Sequence, residues 1–161
     1  MKMFYRMQQF IKAITATVAK EEREWVKEYL TKEECILFFK LKVYEQRHCI
    51  DVAKILEERT NSQKEMIRLG LLHDIGKIVY PLNPIQKGVM VLLDKVTKGS
   101  IKRCSQSKMV KCYYEHPNLG YKLLKEMGDY NEVFLGKIKN HHNQNIQDLD
   151  LNLLQEVDDL C

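Results

Sequence analysis

Apolar residues recur along most of this chain at intervals of three and four, the spacing that turns one face of an α-helix toward a core. Met3, Phe4, Met7, Phe10, Ile11 and Ile14 keep that spacing at the start and predict an amphipathic helix over about 3–16. A second is expected over about 20–29. Thr31 followed by Glu34 predicts a capping box, opening a helical stretch that carries Ile36, Leu37, Phe38 and Phe39. From about Tyr44 to Glu58 the apolar side holds Cys49, Val52, Ala53, Ile55 and Leu56. Asn61 or Ser62 is expected to cap a helix through Met66, Ile67, Leu69, Leu71 and Leu72 to about Val79, where Tyr80-Pro81 stops it.

Residues 82–97 again suit a helix, and Lys98 to Ser107 reads as a polar, basic loop. Pro117 fits the first position of a helix, where its missing N–H costs nothing. That helix is expected to carry the core stripe Leu119, Leu123, Leu124 and Met127 and to end at Gly128. Another covers about 130–141, and a last one, capped by Asp148 or Asp150, starts near Leu151. No segment alternates as a strand. The expectation is an all-α fold, a compact bundle of roughly seven to ten helices on short loops.

Composition narrows this without changing it. The 161 residues suit one domain, 45% are apolar and 30% charged, and only seven glycines and three prolines interrupt the helix formers. The net charge of +4 favours an anionic small molecule and is too slight and scattered for a nucleic-acid duplex. Five cysteines, Cys35, Cys49, Cys104, Cys112 and Cys161, form no CxxC pair, as expected of reduced thiols in a cytoplasmic protein. Lys2, Arg6, Gln8, Gln9 and Lys12 break up the apolar start, so neither a signal peptide nor a membrane span is expected.

The candidate chemistry lies in the histidines. There are five: His48, His73, His116, His141 and His142. His73 stands beside Asp74 in LGLLHDIGKI, and adjacent helical residues project about 100° apart. An imidazole and a carboxylate so placed can grip one metal from two directions, while the second carboxylate oxygen reaches a neighbouring ion. Mixed nitrogen and oxygen donors suit iron, manganese, zinc or nickel. His48 precedes His73 by 25 residues, His141 follows His116 by 25, and Asp158 follows in LLQEVDDL.

This order, H…HD…H…HH…D, with HDIGK at its centre, resembles the HD-domain superfamily of metal-dependent phosphohydrolases over about residues 36–160. The resemblance implies an HD-domain bundle over 31–161; the apolar spacing at the start predicts residues 1–30 as a helical extension packed on it, with a membrane-surface anchor as the alternative. It implies a first metal on His48, His73, Asp74 and Asp158, with Asp159 the alternative to Asp158. His116 and His141 match the extra histidines of the binuclear branch, His142 is a further or alternative ligand, and Asp74 would bridge two ions. The cofactors implied are two divalent metals, iron or manganese foremost, with nickel, zinc or magnesium as alternatives.

The implied reaction is attack on a phosphate ester or nucleotide by water made acidic between two cations. Asp74 and Lys77 are its candidate catalytic residues, Lys77 one turn beyond Asp74 offering an ammonium to phosphate. Arg47, beside the first histidine, is a second candidate for substrate binding. Lys98, Lys102, Arg103, Lys108 and Lys111 are candidates for a basic lip. The chain departs from the cyclic di-GMP branch: NQNIQDLDL follows His142 with no GYP signature, and Tyr44 stands where trinuclear members place a glutamate. The alternatives are a catalytically silent metal-binding signalling module and an HD-type diiron oxygenase.

Overall fold

The computed structural model describes residues 15–161. Among them are eight α-helices and no strand, as the periodicity predicts. They are α1 (Lys20–Tyr29), α2 (Lys32–Phe38), α3 (Val43–Arg59), α4 (Lys64–Leu72), α5 (Pro84–Thr97), α6 (Lys108–Met127), α7 (Glu132–Asn140) and α8 (Leu149–Leu160), with 3-10 turns at Ile75–Ile78 and Ser100–Arg103. The helix expected over 3–16 lies almost wholly outside the described residues. No described helix is long and apolar enough to cross a membrane.

The main core is built on α3 and α4, with α1, α2, α7 and α8 around them. Ile50, Ala53 and Leu56 of α3 and Met66, Ile67 and Leu69 of α4 are fully or almost fully buried in it. Phe134 and Ile138 of α7 and Leu154 and Val157 of α8 complete it. A buried leucine or isoleucine side chain is worth about 1.5–3 kcal/mol. These positions therefore fix where α3, α4, α7 and α8 cross. Glu34 closes the Thr31 capping box and also accepts from the Arg68 guanidinium of α4, which ties α2 to the bundle.

A smaller core gathers Leu82, Met90, Val110 and Cys112 between α5 and α6. The outer face of α5 is left apolar, with Ile85, Val89, Leu92 and Val96 exposed. The five cysteines are free thiols.

Two boundaries differ from the sequence expectation, and both bear on the histidines. The helix expected to reach Val79 stops at Leu72, and Ile75–Ile78 tightens into a 3-10 turn. That turn is pressed against α6, where a Cβ on Gly76 would lie 2.0 Å from the His116 carbonyl oxygen and 2.5 Å from the Gly120 nitrogen. Only a glycine lets the two backbones approach so closely. The other case is Pro117, which sits in the middle of α6 rather than at its start. It cannot donate to the carbonyl four residues back, a cost of roughly 3 kcal/mol in a helix interior. Packing of α6 on the 3-10 turn, α7 and α5 outweighs that local penalty.

Smaller differences follow local chemistry. Asn61 and Ser62 adopt left-handed backbone in the turn, and Gln63 is the residue at the N-terminus of α4. Asp148, and not Asp150, caps α8 through the Leu151 N–H.

Candidate metal centre

The five histidines reach the centre from four different places. His48 lies on α3, His73 at the C-terminus of α4, His116 on α6, and His141 and His142 just beyond α7. Asp74 enters from the head of the 3-10 turn and Asp158 from α8. Helix α8 continues past Asp158 to Leu160, so this carboxylate is held within the helix, its side chain 16% exposed.

Asp74 stands at the middle. Its Oδ2 faces His73 Nε2 at 3.4 Å and His48 Nε2 at 3.7 Å. Its Oδ1 faces His116 Nε2 at 3.2 Å and His141 Nε2 at 3.6 Å. Asp158 Oδ1 joins the first side, 2.8 Å from His48 Nε2 and 3.5 Å from His73 Nε2. His142 joins the second, its Nε2 3.2 Å from that of His116, which is also 3.2 Å from His141 Nε2. The donors therefore form two groups, His48, His73 and Asp158 on one side and Asp74, His116, His141 and His142 on the other. Asp74 is common ground between them.

The ring orientations are fixed from behind. His73 Nδ1 donates to the Gly70 carbonyl at 2.8 Å, His116 Nδ1 to Cys112 at 2.8 Å, and His141 Nδ1 to Ile138 at 2.7 Å. A carbonyl only accepts, so each Nδ1 carries the hydrogen, and a neutral ring then presents Nε2 as a bare lone pair. Lone pairs of His116 and His141 3.2 Å apart repel unless a proton or a metal ion lies between them. His73 Nε2 and Asp74 Oδ1 are fully buried and make no hydrogen bond, although such groups in folded proteins are almost always satisfied. Ligand atoms about 2.1 Å from one ion, at the angles usual for divalent metals, stand roughly 3.0–3.4 Å apart. The donor set and its spacings therefore fit metal ions on both sides of Asp74.

The electrostatics follow from this crowding. Burial alone would raise the Asp74 carboxyl, but the charge of Lys77 and the neighbouring His73 hold it well below the usual range. Asp158 is treated alike: burial would raise it, and the adjacent His48 and His73 rings bring it far down. Burial would lower His73, yet Asp74 and Asp158 overrule it and raise the ring to about 10. Without metal, a proton on His73 therefore supplies part of the missing positive charge. On the other side burial dominates. It lowers His141, and it brings His142 to about 3 with help from the neighbouring imidazoles. His142 lies exposed at the rim, whereas His141 is 1% exposed.

Lys77 lies against this centre, its ammonium bonded to Asp74 Oδ2 and, at 3.1 Å, to Glu45 Oε2. Arg47 is directed elsewhere: its guanidinium pairs with Glu22 of α1 at 2.6 Å and with Asp51 at 2.8 Å. Among the basic residues of the 98–111 segment, Lys102 lies over the Tyr114 ring and Lys111 over the Tyr80 ring. Asp159 follows Asp158 on α8 and belongs to neither donor group.

Two residues at the centre were not anticipated. Cys49 is fully buried beside His73 and Asp74, close enough to group with them, and burial drives its thiol well above the usual range. Glu45 is 3% exposed yet lies between two lysines. Its place three residues before His48, on the same helix face, was the available signal.

No curated protein and no solved structure was found that matches the chain. A family model does match it, that of the HD domain, over residues 46–161. That span begins two residues before His48 and includes every donor of both groups. With the all-α bundle and the paired His/Asp groups already in place, the chain belongs to the HD-domain family, whose members bind divalent metals and are mostly phosphohydrolases.

Proposed function

We propose that this protein is a phosphohydrolase that cleaves a small phosphate ester or nucleotide at a binuclear metal site. The first ion would be held by His48, His73, Asp74 and Asp158, and the second by Asp74, His116, His141 and His142. The observation that carries this reading is the division of Asp74, whose two oxygens face two separate sets of imidazoles. When bound, two divalent cations supply an acidified water and neutralise charge on the phosphoryl oxygens.

The protein's own contribution is positional. The Nδ1–H bonds to Gly70, Cys112 and Ile138 hold three rings with Nε2 turned inward before any ligand arrives. Such preorganisation avoids reorganisation during the reaction. Asp74 stays ionised, as a bridging carboxylate must. Lys77 brings a positive charge to the edge of the site, where an anionic substrate would meet it. The complete set of donors supports turnover over a silent binding module.

The test begins with metal analysis of protein purified without a metal-binding tag. Mn-, Fe- and Ni-loaded forms are then assayed for phosphate release from nucleotides, cyclic nucleotides, sugar phosphates and aryl phosphates. About two ions per chain are expected, and Asp74→Asn should lower release at least about a thousandfold by weakening both groups. Undiminished release in that variant refutes the mechanism. Bound metal without turnover of any substrate would favour the silent module, and oxygen consumption by the iron form would favour an oxygenase.

A further inference from the structure

Asp74, Lys77, Glu45 and Lys87 form a line of alternating charge that runs from the metal centre toward the surface. Lys77 Nζ contacts Asp74 Oδ2 and lies 3.1 Å from Glu45 Oε2. Lys87 of α5 closes the line, its ammonium 3.3 Å from both Glu45 oxygens and 39% exposed. Glu45 itself is 3% exposed, and its carboxylate is in contact with both lysines, with the Tyr44 hydroxyl also close to it. A buried carboxylate is costly unless it is paired, so its place here is specific.

The oxygen that holds Lys77 is also the one turned toward His48 and His73. A cation in the first group and the Lys77 ammonium therefore compete for Asp74 Oδ2, and at such separations two positive charges repel strongly. Lys77 cannot retreat into solvent, because its side chain is only 13% exposed. A buried ammonium released from Asp74 needs another carboxylate within reach. Glu45 is that carboxylate, already in contact. Its position is steadied by Lys87, whose chain also lies over the Tyr44 ring, while the Tyr44 hydroxyl donates to the Leu82 carbonyl.

We propose that Glu45 is a positioning residue that receives the Lys77 ammonium when a metal takes Asp74 Oδ2, and so makes loading of the first group compatible with a buried lysine. This rests on the two-group metal site proposed above. It assigns Glu45 no bond to metal or substrate; it acts through Lys77. In the loaded protein Lys77 then stands beside Asp74 on Glu45, with its ammonium still at the edge of the site.

The experiment is a thermodynamic cycle on Mn²⁺ binding to the whole chain, read by chelator competition. The wild type is compared with Glu45→Gln, Lys77→Met and the double variant, and thermal melting of each metal-free form checks folding. Glu45→Gln should weaken Mn²⁺ binding at the tighter-coupled first group about tenfold, because Lys77 then has only Asp74. Lys77→Met should strengthen it, and adding Glu45→Gln to Lys77→Met should change it less than twofold. Glu45→Asp should recover part of the wild-type affinity. A loss of affinity from Glu45→Gln that is equally large without Lys77 overturns the proposal, since a purely structural role behaves that way. Unchanged affinity in Glu45→Gln overturns it too. Should Glu45→Gln fail to fold, Lys77→Met alone decides, and unchanged or weaker Mn²⁺ binding there counts against it. Mn²⁺ binding without phosphate release would remove only the hydrolase reading; no Mn²⁺ binding by the wild type would remove both.

Discussion

The two donor groups on either side of Asp74 are built on opposite electrostatic plans. The first combines His48 and His73 with a second carboxylate, Asp158, and has Lys77 pressed on the shared aspartate. Negative charge exceeds what its imidazoles neutralise, and the site compensates with a proton on His73 and an ammonium beside it. The second group has three imidazoles and only one carboxylate oxygen. Burial lowers His141 and His142, so these two rings favour the neutral form that presents a lone pair. One side must therefore expel positive charge to accept a metal, while the other is ready to receive it.

The sharpest way to break this contrast is to pull the groups apart. Gly76→Ala forces a methyl group into the His116 carbonyl, and the 3-10 turn must move away from α6. A loss of about 3 kcal/mol or more is expected, comparable to other severe overpacking. Asp74 leaves one group with the displaced turn, so metal content should fall from about two ions toward one. Chemical denaturation and metal analysis of the same sample check both parts. Wild-type stability in this variant would mean that the close approach does not place Asp74.

Removing one ligand from each side should give unequal losses. His73→Gln takes away a fully buried donor whose partners are two carboxylates. His142→Gln takes away an exposed rim donor whose neighbours are the His116 and His141 rings. Losing a mere supporting partner of a ligand costs about 10–100-fold in affinity. His73→Gln should exceed that range for one of two ions, and His142→Gln should fall near its lower end. Calorimetric titration with Mn²⁺ separates the two sites; equal losses would erase the distinction.

The smallest effect is on the pH dependence of metal-free stability. His73 is raised to about 10 from an ordinary 6.5, so its contribution is full below 6.5 and is lost as pH rises through about 10. His141 and His142 are lowered by burial, His142 to about 3, so their contribution is present above 6.5 and is lost as pH falls. The two arms meet near the ordinary histidine value, and the metal-free protein should be most stable at about pH 6.5. His73→Gln should flatten the alkaline arm, and the double variant His141→Gln/His142→Gln the acid arm. Melting curves in chelator between about pH 5 and 9 measure this. A maximum that persists unchanged in both variants would show that other groups set it.

Much of the molecule was legible in the sequence, for reasons that are local. The 3.6-residue period of α3 and α4, the Thr31–Glu34 cap and the Gly128 terminus express interactions within a few residues. They needed no knowledge of distant contacts. The donors could be named as well, because five histidines and the His73-Asp74 pair form a pattern of residue types. The structure brings all five rings to one place.

What only the tertiary structure decided depends on contacts between segments far apart in the chain. The helix after Gln63 ends at Leu72 because Gly76 meets α6 forty residues later in sequence, and no local rule contains that contact. Pro117 lies inside α6 because packing overrides the local cost of its missing N–H. Arg47 faces Glu22 on α1, not the metal centre it adjoins in sequence, because neighbours on a helix point in different directions. The same folding buries Glu45 between Lys77 and Lys87, 32 and 42 residues away. Residue types announce which atoms can bind a metal; only the crossing of helices sets their distances, and distance is what divides Asp74 between two groups.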